Sequence, residues 1–169
     1  AGPGSPAVVL LHGMSSSFNA IKVQLPAYFL RSMGISVLLP NLRDHGSSSN
    51  TSHGRISWAT EYPYDALGAW DYVVEDPDGD LGGERDPSKV GVAGGSLGGL
   101  VAASAFGLEE RIPGLWLNGA IFDPKVDLMG KNVAKFLGPL APVLYEPAWW
   151  VLETSLGMSL GDLRPGSTM

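Results

Sequence analysis

The sequence predicts an α/β fold in three layers, a mostly parallel sheet flanked by helices, with an apolar helical segment at its carboxyl end. Three observations predict it. Short apolar runs of strand length alternate with segments of helix length. The strand-length runs are apolar at nearly every position, as in strands covered on both faces. Three of them end in turns of unusual chemistry, "HGMSSS", "NLRDHGSSS" and "GGSLGG". Alternation at this spacing implies right-handed crossovers between parallel strands. All three turns then face the carboxyl edge of the sheet, where ligands bind in such folds.

The elements follow in order. "AVVLLH" (Ala7–His12) is a short β-branched and aliphatic run bounded by turn residues, hence a buried strand. "QLPAYFLRSM" (Gln24–Met33) places Leu25, Phe29 and Leu30 near helical spacing, with Gly34 as its stop. "ISVLLP" (Ile35–Pro40) is a second buried strand, and the polar stretch Asn41–Thr60 reads as a long loop. "YDALGAWDYVVED" (Tyr64–Asp76) is a helix with Leu67, Trp70, Val73 and Val74 on one side; "PDGDLGGERDP" (Pro77–Pro87) is a charged surface excursion rich in turn residues. "KVGVAG" (Lys89–Gly94) is the third strand, followed by a helix from Leu97 to Phe106 with Gly107 as its stop. "GLWLNGAIFD" (Gly114–Asp123) is the fourth strand, and two or three helical pieces with prolines complete the chain.

Composition narrows the function classes. The chain has 169 residues, enough for one domain with a sizeable core. Its 23 glycines and 13 prolines imply many turns. The formal net charge of −6 and the lack of a basic cluster offer nucleic acid little to bind. With no cysteine, disulfides, thiolate metal sites and cysteine nucleophiles are excluded, and nothing in the sequence assigns a compartment. No apolar run reaches the roughly 18 residues that span a bilayer; in the nearest, Phe136–Leu152, Glu146 interrupts and three prolines are expected to break the helix.

The third turn carries the most specific chemistry. Gly94-Gly95-Ser96-Leu97-Gly98 fits G-x-S-x-G between a buried strand and a helix. A serine on so sharp a turn takes strained backbone angles, and flanking glycines prevent clashes with strand and helix. Its hydroxyl is then lifted into the cleft at the positive end of the helix. The small residues Gly99, Ala102, Ala103 and Ala105 let that helix press on the sheet. Phosphate-loop readings fail: there is no G-x-G-x-x-G frame, and the Walker pattern needs lysine where Leu100 stands. Ser96 is therefore the candidate nucleophile, set against a plain tight turn.

A serine nucleophile needs backbone N–H groups aimed at the developing oxyanion. Leu97, just after it, can supply one. Met14, in the exit turn of the first strand, can supply the other, with its side chain lining the pocket. His12 is then a buried structural imidazole. In the second turn, Arg43 or Asp44 ties the loop by ion pairs. A metal site from Asp44, His45 and His53 is disfavoured, because no ligand pair has i, i+4 spacing; no metal or organic cofactor is expected. Asn50-Thr51-Ser52 is a glycosylation sequon.

Taken together, His12-Gly13-Met14, Asn41-Leu42-Arg43-Asp44-His45-Gly46-Ser47 and Gly94–Gly98 resemble the α/β-hydrolase superfamily, its esterases and serine-aminopeptidase-like hydrolases in particular. The similarity covers about Ala7 to Asp123. Asn41 and Asp44 depart from the second motif, D-x-R-G-H-G-x-S. The resemblance implies a partial hydrolase core over residues 1–123, a helical cap-like segment over 124–169, Ser96 as nucleophile, and a small ester or acyl substrate cleaved through an acyl-enzyme. Peptidase, thioesterase and acyltransferase chemistry would use the same parts. "YEPAWWVLE" (Tyr145–Glu153) would roof an acyl pocket formed with Met14, Phe18, Trp149 and Trp150; simple packing of the tryptophans on the sheet, or a surface awaiting a partner, are the alternatives.

The acid and base are the open point. In this superfamily the order is Ser, then Asp or Glu, then His, yet His12, His45 and His53 all precede Ser96. Asp123, at the end of the fourth strand, is either the acid or a helix N-cap, the cap being favoured. His45 is on the correct edge of the sheet for a base, although the usual role of its loop is structural. The resemblance implies a fragment that stops before its acid–histidine part, inactive as it stands and with bare sheet edges open to self-association. The competing reading is a hydrolase-like module that binds a ligand or partner without catalysis.

Overall fold

A computed structural model describes residues 4–50, 58–123 and 138–156, together with Asp127, Lys135 and Ser159. Four strands, β1 (Ala7–Leu11), β2 (Ser36–Leu38), β3 (Val90–Gly95) and β4 (Leu115–Asn118), form one sheet among the described residues, in the order β2-β1-β3-β4. All pairings are parallel. Ala7 stands opposite both Ser36 and Val90, and Gly95 opposite Asn118. The apolar runs of β1 and β3 occupy its centre, where Val9, Leu10, Leu11, Val90, Val92 and Ala93 are buried. An interior strand covered on both faces cannot alternate polar and apolar residues, which is why these runs are continuous. The outer edges of β2 and β4 have no strand partner among the described residues.

The helices α1 (Ile21–Ser32), α2 (Trp58–Glu75) and α3 (Leu97–Leu108) fill the connections, and a fourth, α4 (Ala141–Leu156), lies in the carboxyl-terminal segment. Gly34 ends α1 in the left-handed conformation, φ +81°, as its position predicts. On α2, Tyr62, Ala66, Trp70, Val73 and Val74 are buried, and the Trp70 indole donates to the carbonyl of Val90 at 2.7 Å. Leu67, expected on this face, is only half-buried.

Several boundaries differ from the sequence reading. Helix α2 begins at Trp58, so the loop expected up to Thr60 is shorter. Pro63, the sixth residue of α2, lies too near its start to remove many intrahelical bonds. Gly107 lies inside α3, which ends one residue later with Glu109 in extended conformation. β4 stops at Asn118 because Gly119 turns the chain out of the sheet with φ +59°. Asp123 is therefore not at the strand end. The excursion after α2 is not all surface: the Asp76 side chain accepts from the N–H groups of Leu81 and Gly83, and both Asp76 and Arg85 are buried. The prolines of the Phe136–Leu152 run do not break its helix. α4 runs through Pro147, while Pro139 sits in the preceding 3-10 turn and Pro142 in the first helical turn, where a missing N–H costs nothing. No helix among the described residues is long and apolar enough to cross a membrane.

The chain divides into two compact units, Ala1–Ala120 and Ile121–Met169. In the second, the Asp127 carboxylate accepts from the N–H groups of Phe122 and Asp123, and Tyr145 stacks on Trp149 with ring centroids 6.0 Å apart. Trp149 is buried and Trp150 is exposed, so the two do not share one face of α4.

Candidate active site

One residue separates β3 from α3, and that residue is Ser96. To reverse direction in so little chain, it adopts φ 54° and ψ −122°, a region that L-residues rarely enter. Its N–H donates to the carbonyl of Asn118 at 3.2 Å, and its carbonyl accepts from the N–H groups of Gly99 and Leu100. Ser96 is exposed although Leu97, Gly98, Gly99 and Leu100 behind it are buried. The side chain does not cap the helix. The hydroxyl is thus presented outward on a rigid turn.

The glycines around it are there for space. A β-carbon on Gly94 would collide with the carbonyl of Gly98. One on Gly98 would come within 2.5 Å of the carbonyl oxygens of Leu11 and His12, and one on Gly99 within 2.6 Å of Ala120 Cβ. These absent side chains let the start of α3 sit directly on the exit of β1. As a result Gly13 lies beside the serine: a β-carbon there would be 3.4 Å from Ser96 Cβ and 3.8 Å from its hydroxyl. Met14 follows at once and is half-buried. Leu97 occupies the first position of α3, where an N–H has no intrahelical acceptor.

His12 is fully engaged. It accepts from the N–H of Leu42 at 3.1 Å through Nε2, which fixes the proton on Nδ1, and Nδ1 lies 2.8 Å from the carbonyl of Gly13. Burial pushes its pKa below the usual histidine value, offset in part by that carbonyl, and neighbouring His45 lowers it further. The imidazole is a neutral strut between the exits of β1 and β2.

The loop after β2 is held by polar contacts that residue spacing alone does not reveal. Asn41, one of the departures from the family motif, accepts from the N–H of Phe18 at 3.0 Å and donates to the Ser47 hydroxyl at 3.1 Å, joining the first two exit loops. Arg43 places Nε and Nη2 on Asp65 and Nη1 on Glu61, the shortest contacts at 2.7 Å, while its backbone N–H also reaches Asp65. The pair raises the already high pKa of Arg43, with Asp65 as the larger cause. Asp44, at φ 62°, accepts from the Tyr62 hydroxyl at 3.2 Å. Burial first, then Asp44, push that phenol well above its usual range.

His45 lies within this loop rather than on the serine. Its Nδ1 is 2.8 Å from the carbonyl of Arg43, and its ring packs against His12 at 5.1 Å and Tyr62 at 5.9 Å. Neither described histidine is hydrogen-bonded to Ser96. His53 and the sequon positions after Asn50 lie outside the described residues. Among the described residues, no group of three or more His, Asp or Glu side chains is placed to hold a metal ion. Asp123 belongs to the second unit, with its N–H on Asp127.

The family model of the alpha/beta hydrolase family matches residues 8–166 of this chain. Among solved structures, the chain is similar to the alpha/beta hydrolase GrgF from Penicillium sp. sh18, with TM-score 0.64, 17% identity, and coverage of 95% of this chain and 55% of that one. The Pyrococcus furiosus esterase Pf2001 gives TM-score 0.60 at 20% identity, over 84% of this chain and 56% of that one. An acetyl xylan esterase from Paenibacillus sp. R4 gives 0.59 at 23% identity, over 99% and 56%. At these identities the likeness establishes the fold. The chain spans about half the length of these structures. No curated protein matches the sequence.

Proposed function

Because the chain belongs to the alpha/beta hydrolase family, we propose that it carries the acyl-accepting half of a serine esterase site, with Ser96 as nucleophile. The observation that supports this most is the strained, exposed Ser96 turn packed against Gly13. In the reaction the Ser96 oxygen attacks the ester carbonyl and its proton passes to a base. The backbone N–H groups of Leu97 and Met14 hold the oxyanion. Collapse of the tetrahedral intermediate breaks the acyl C–O bond and the alcohol leaves with a proton. Water then attacks the acyl-serine, releasing the acid and restoring the hydroxyl. Peptide, thioester and acyl-transfer substrates would use the same groups.

The base is the limiting part. His12 has both ring nitrogens engaged, and His45 is turned to the Arg43 carbonyl. A serine hydroxyl that cannot shed its proton is a poor nucleophile. We therefore assign no catalytic step to His12 or His45, and the 169-residue chain alone is expected not to turn over esters. The same observation favours a second reading, a hydrolase-like module that binds an ester or a partner without cleaving it.

Added imidazole distinguishes the two. With a p-nitrophenyl ester as substrate, the esterase reading predicts a Ser96-dependent rate when imidazole is supplied, above an Ser96→Ala control that accounts for imidazole's own catalysis. The binding-module reading predicts no difference between the two proteins.

A further inference from the structure

We propose that the cavity at the amino ends of β1 and β2 is a binding site for a small oxyanion, a phosphate or carboxylate group, held by the buried guanidinium of Arg85. The cavity measures about 240 Å³, and Arg31, Ser36, Asp80, Leu81 and Arg85 line it over an apolar floor that includes Val37. Arg85 is only 6% exposed. Its backbone N–H donates to Val74 and its Nη2 to the carbonyl of Leu81 at 3.1 Å, which fixes the side chain in place. Nε and Nη1 have no hydrogen-bond partner. Among the described residues no carboxylate lies within ion-pair distance of it. The nearby Asp76 carboxylate instead accepts the N–H groups of Leu81 and Gly83, shaping the loop that carries Arg85.

A buried guanidinium with unfilled N–H groups and no counter-charge is unfavourable. An arriving oxyanion supplies both the acceptors and the charge, through charge-assisted hydrogen bonds. Arg31 adds a second positive side chain and Asp80 opposes one of the two, so the lining as a whole retains a positive excess. The site is separate from Ser96. β1 begins with Ala7 at this cavity and leads through Leu11 to Gly13, so the two sites lie at opposite edges of the sheet.

The test is calorimetric titration of the chain with inorganic phosphate at constant ionic strength, with acetate in a parallel arm. Saturable one-site binding of either anion is expected; the arm that binds more tightly identifies the preferred group. Arg85→Gln should weaken it about tenfold or more, equivalent to about 1.4 kcal/mol, and Arg31→Gln about threefold. If Arg85→Gln does not fold, Arg85→Lys and Arg31→Gln decide, and unchanged affinity in both overturns the proposal. It is also overturned if neither anion binds saturably, or if affinity survives in Arg85→Gln. A concentration-dependent dimer that protects the β2 amides from hydrogen exchange, without anion binding, would assign the cavity to another chain's strand and overturn it as well.

Discussion

Gly13 stands against Ser96, so close that a methyl group on Gly13 would lie 3.4 Å from Ser96 Cβ and 3.8 Å from the hydroxyl. That contact joins the exit of β1 to the exit of β3. It makes the strained serine part of a two-strand platform rather than an isolated turn. The added methyl would be at ordinary van der Waals distance, so Gly13→Ala should fold with a stability change under about 1 kcal/mol. It would still crowd the hydroxyl. The imidazole-dependent rate at Ser96 should fall about tenfold or more, and Gly13→Val should lower it further. Melting temperature and initial rate, measured together, separate the two effects.

Gly98→Ala should behave in the opposite way. Its β-carbon would meet two backbone carbonyls at 2.5 Å, and backbone cannot rotate aside as a side chain can. Overpacking of this kind costs about 1–3 kcal/mol, occasionally more. Urea denaturation should show a midpoint lowered accordingly, whereas Gly83→Ala, which has open space but φ +112°, should lose stability through backbone strain alone.

His12 gives a pH dependence with a definite sign. Its folded pKa lies below the model value of 6.5 because burial disfavours the charged ring. The unfolded chain therefore binds this proton more readily than the folded one. The stabilising contribution is complete above about pH 6.5 and is lost as the pH falls through the depressed folded pKa. Urea unfolding across pH 5–8 should show this loss, and His12→Asn should remove the part due to this ring. His12→Ala should in addition strand the buried N–H of Leu42, at a cost of about 1–3 kcal/mol at neutral pH.

Asp65 and Glu61 both pair with Arg43, yet they should not be equivalent. Asp65 accepts the backbone N–H of Arg43 as well as its guanidinium, while Glu61 takes only one guanidinium contact and is more exposed. Partly exposed ion pairs contribute little, about 0–1 kcal/mol. Glu61→Gln should therefore cost under about 0.5 kcal/mol. Asp65→Ala, which also removes the backbone acceptor, should cost about 1–2 kcal/mol. Equal losses by chemical denaturation would contradict the distinction.

What the sequence reveals and what it hides divide along physical lines. β1 and β3 are legible because interior strands are apolar throughout, and the serine turn is legible because its glycines are fixed in spacing by backbone clashes. The ends of elements are less so. β4 runs in sequence as far as Asp123, but one left-handed glycine, Gly119, ends it at Asn118. Start signals for α2 are obscured by Pro63 inside a polar stretch. Long-range polar partners leave no local trace at all. Asn41 reads as a departure from a motif and is in fact a bridge between two loops. Arg85 reads as one charge among many in a surface excursion and is in fact buried.

The most direct test of the account is the initial rate of p-nitrophenyl ester hydrolysis by this chain and by Ser96→Ala, each with and without imidazole, with the acylated residue identified by mass spectrometry. The account predicts identical rates without imidazole, a Ser96-dependent excess with it, and an acyl group on Ser96. A Ser96-dependent rate without imidazole would show that a base already serves the serine within these residues. No excess and no adduct with imidazole would contradict the assignment of Ser96 as a nucleophile.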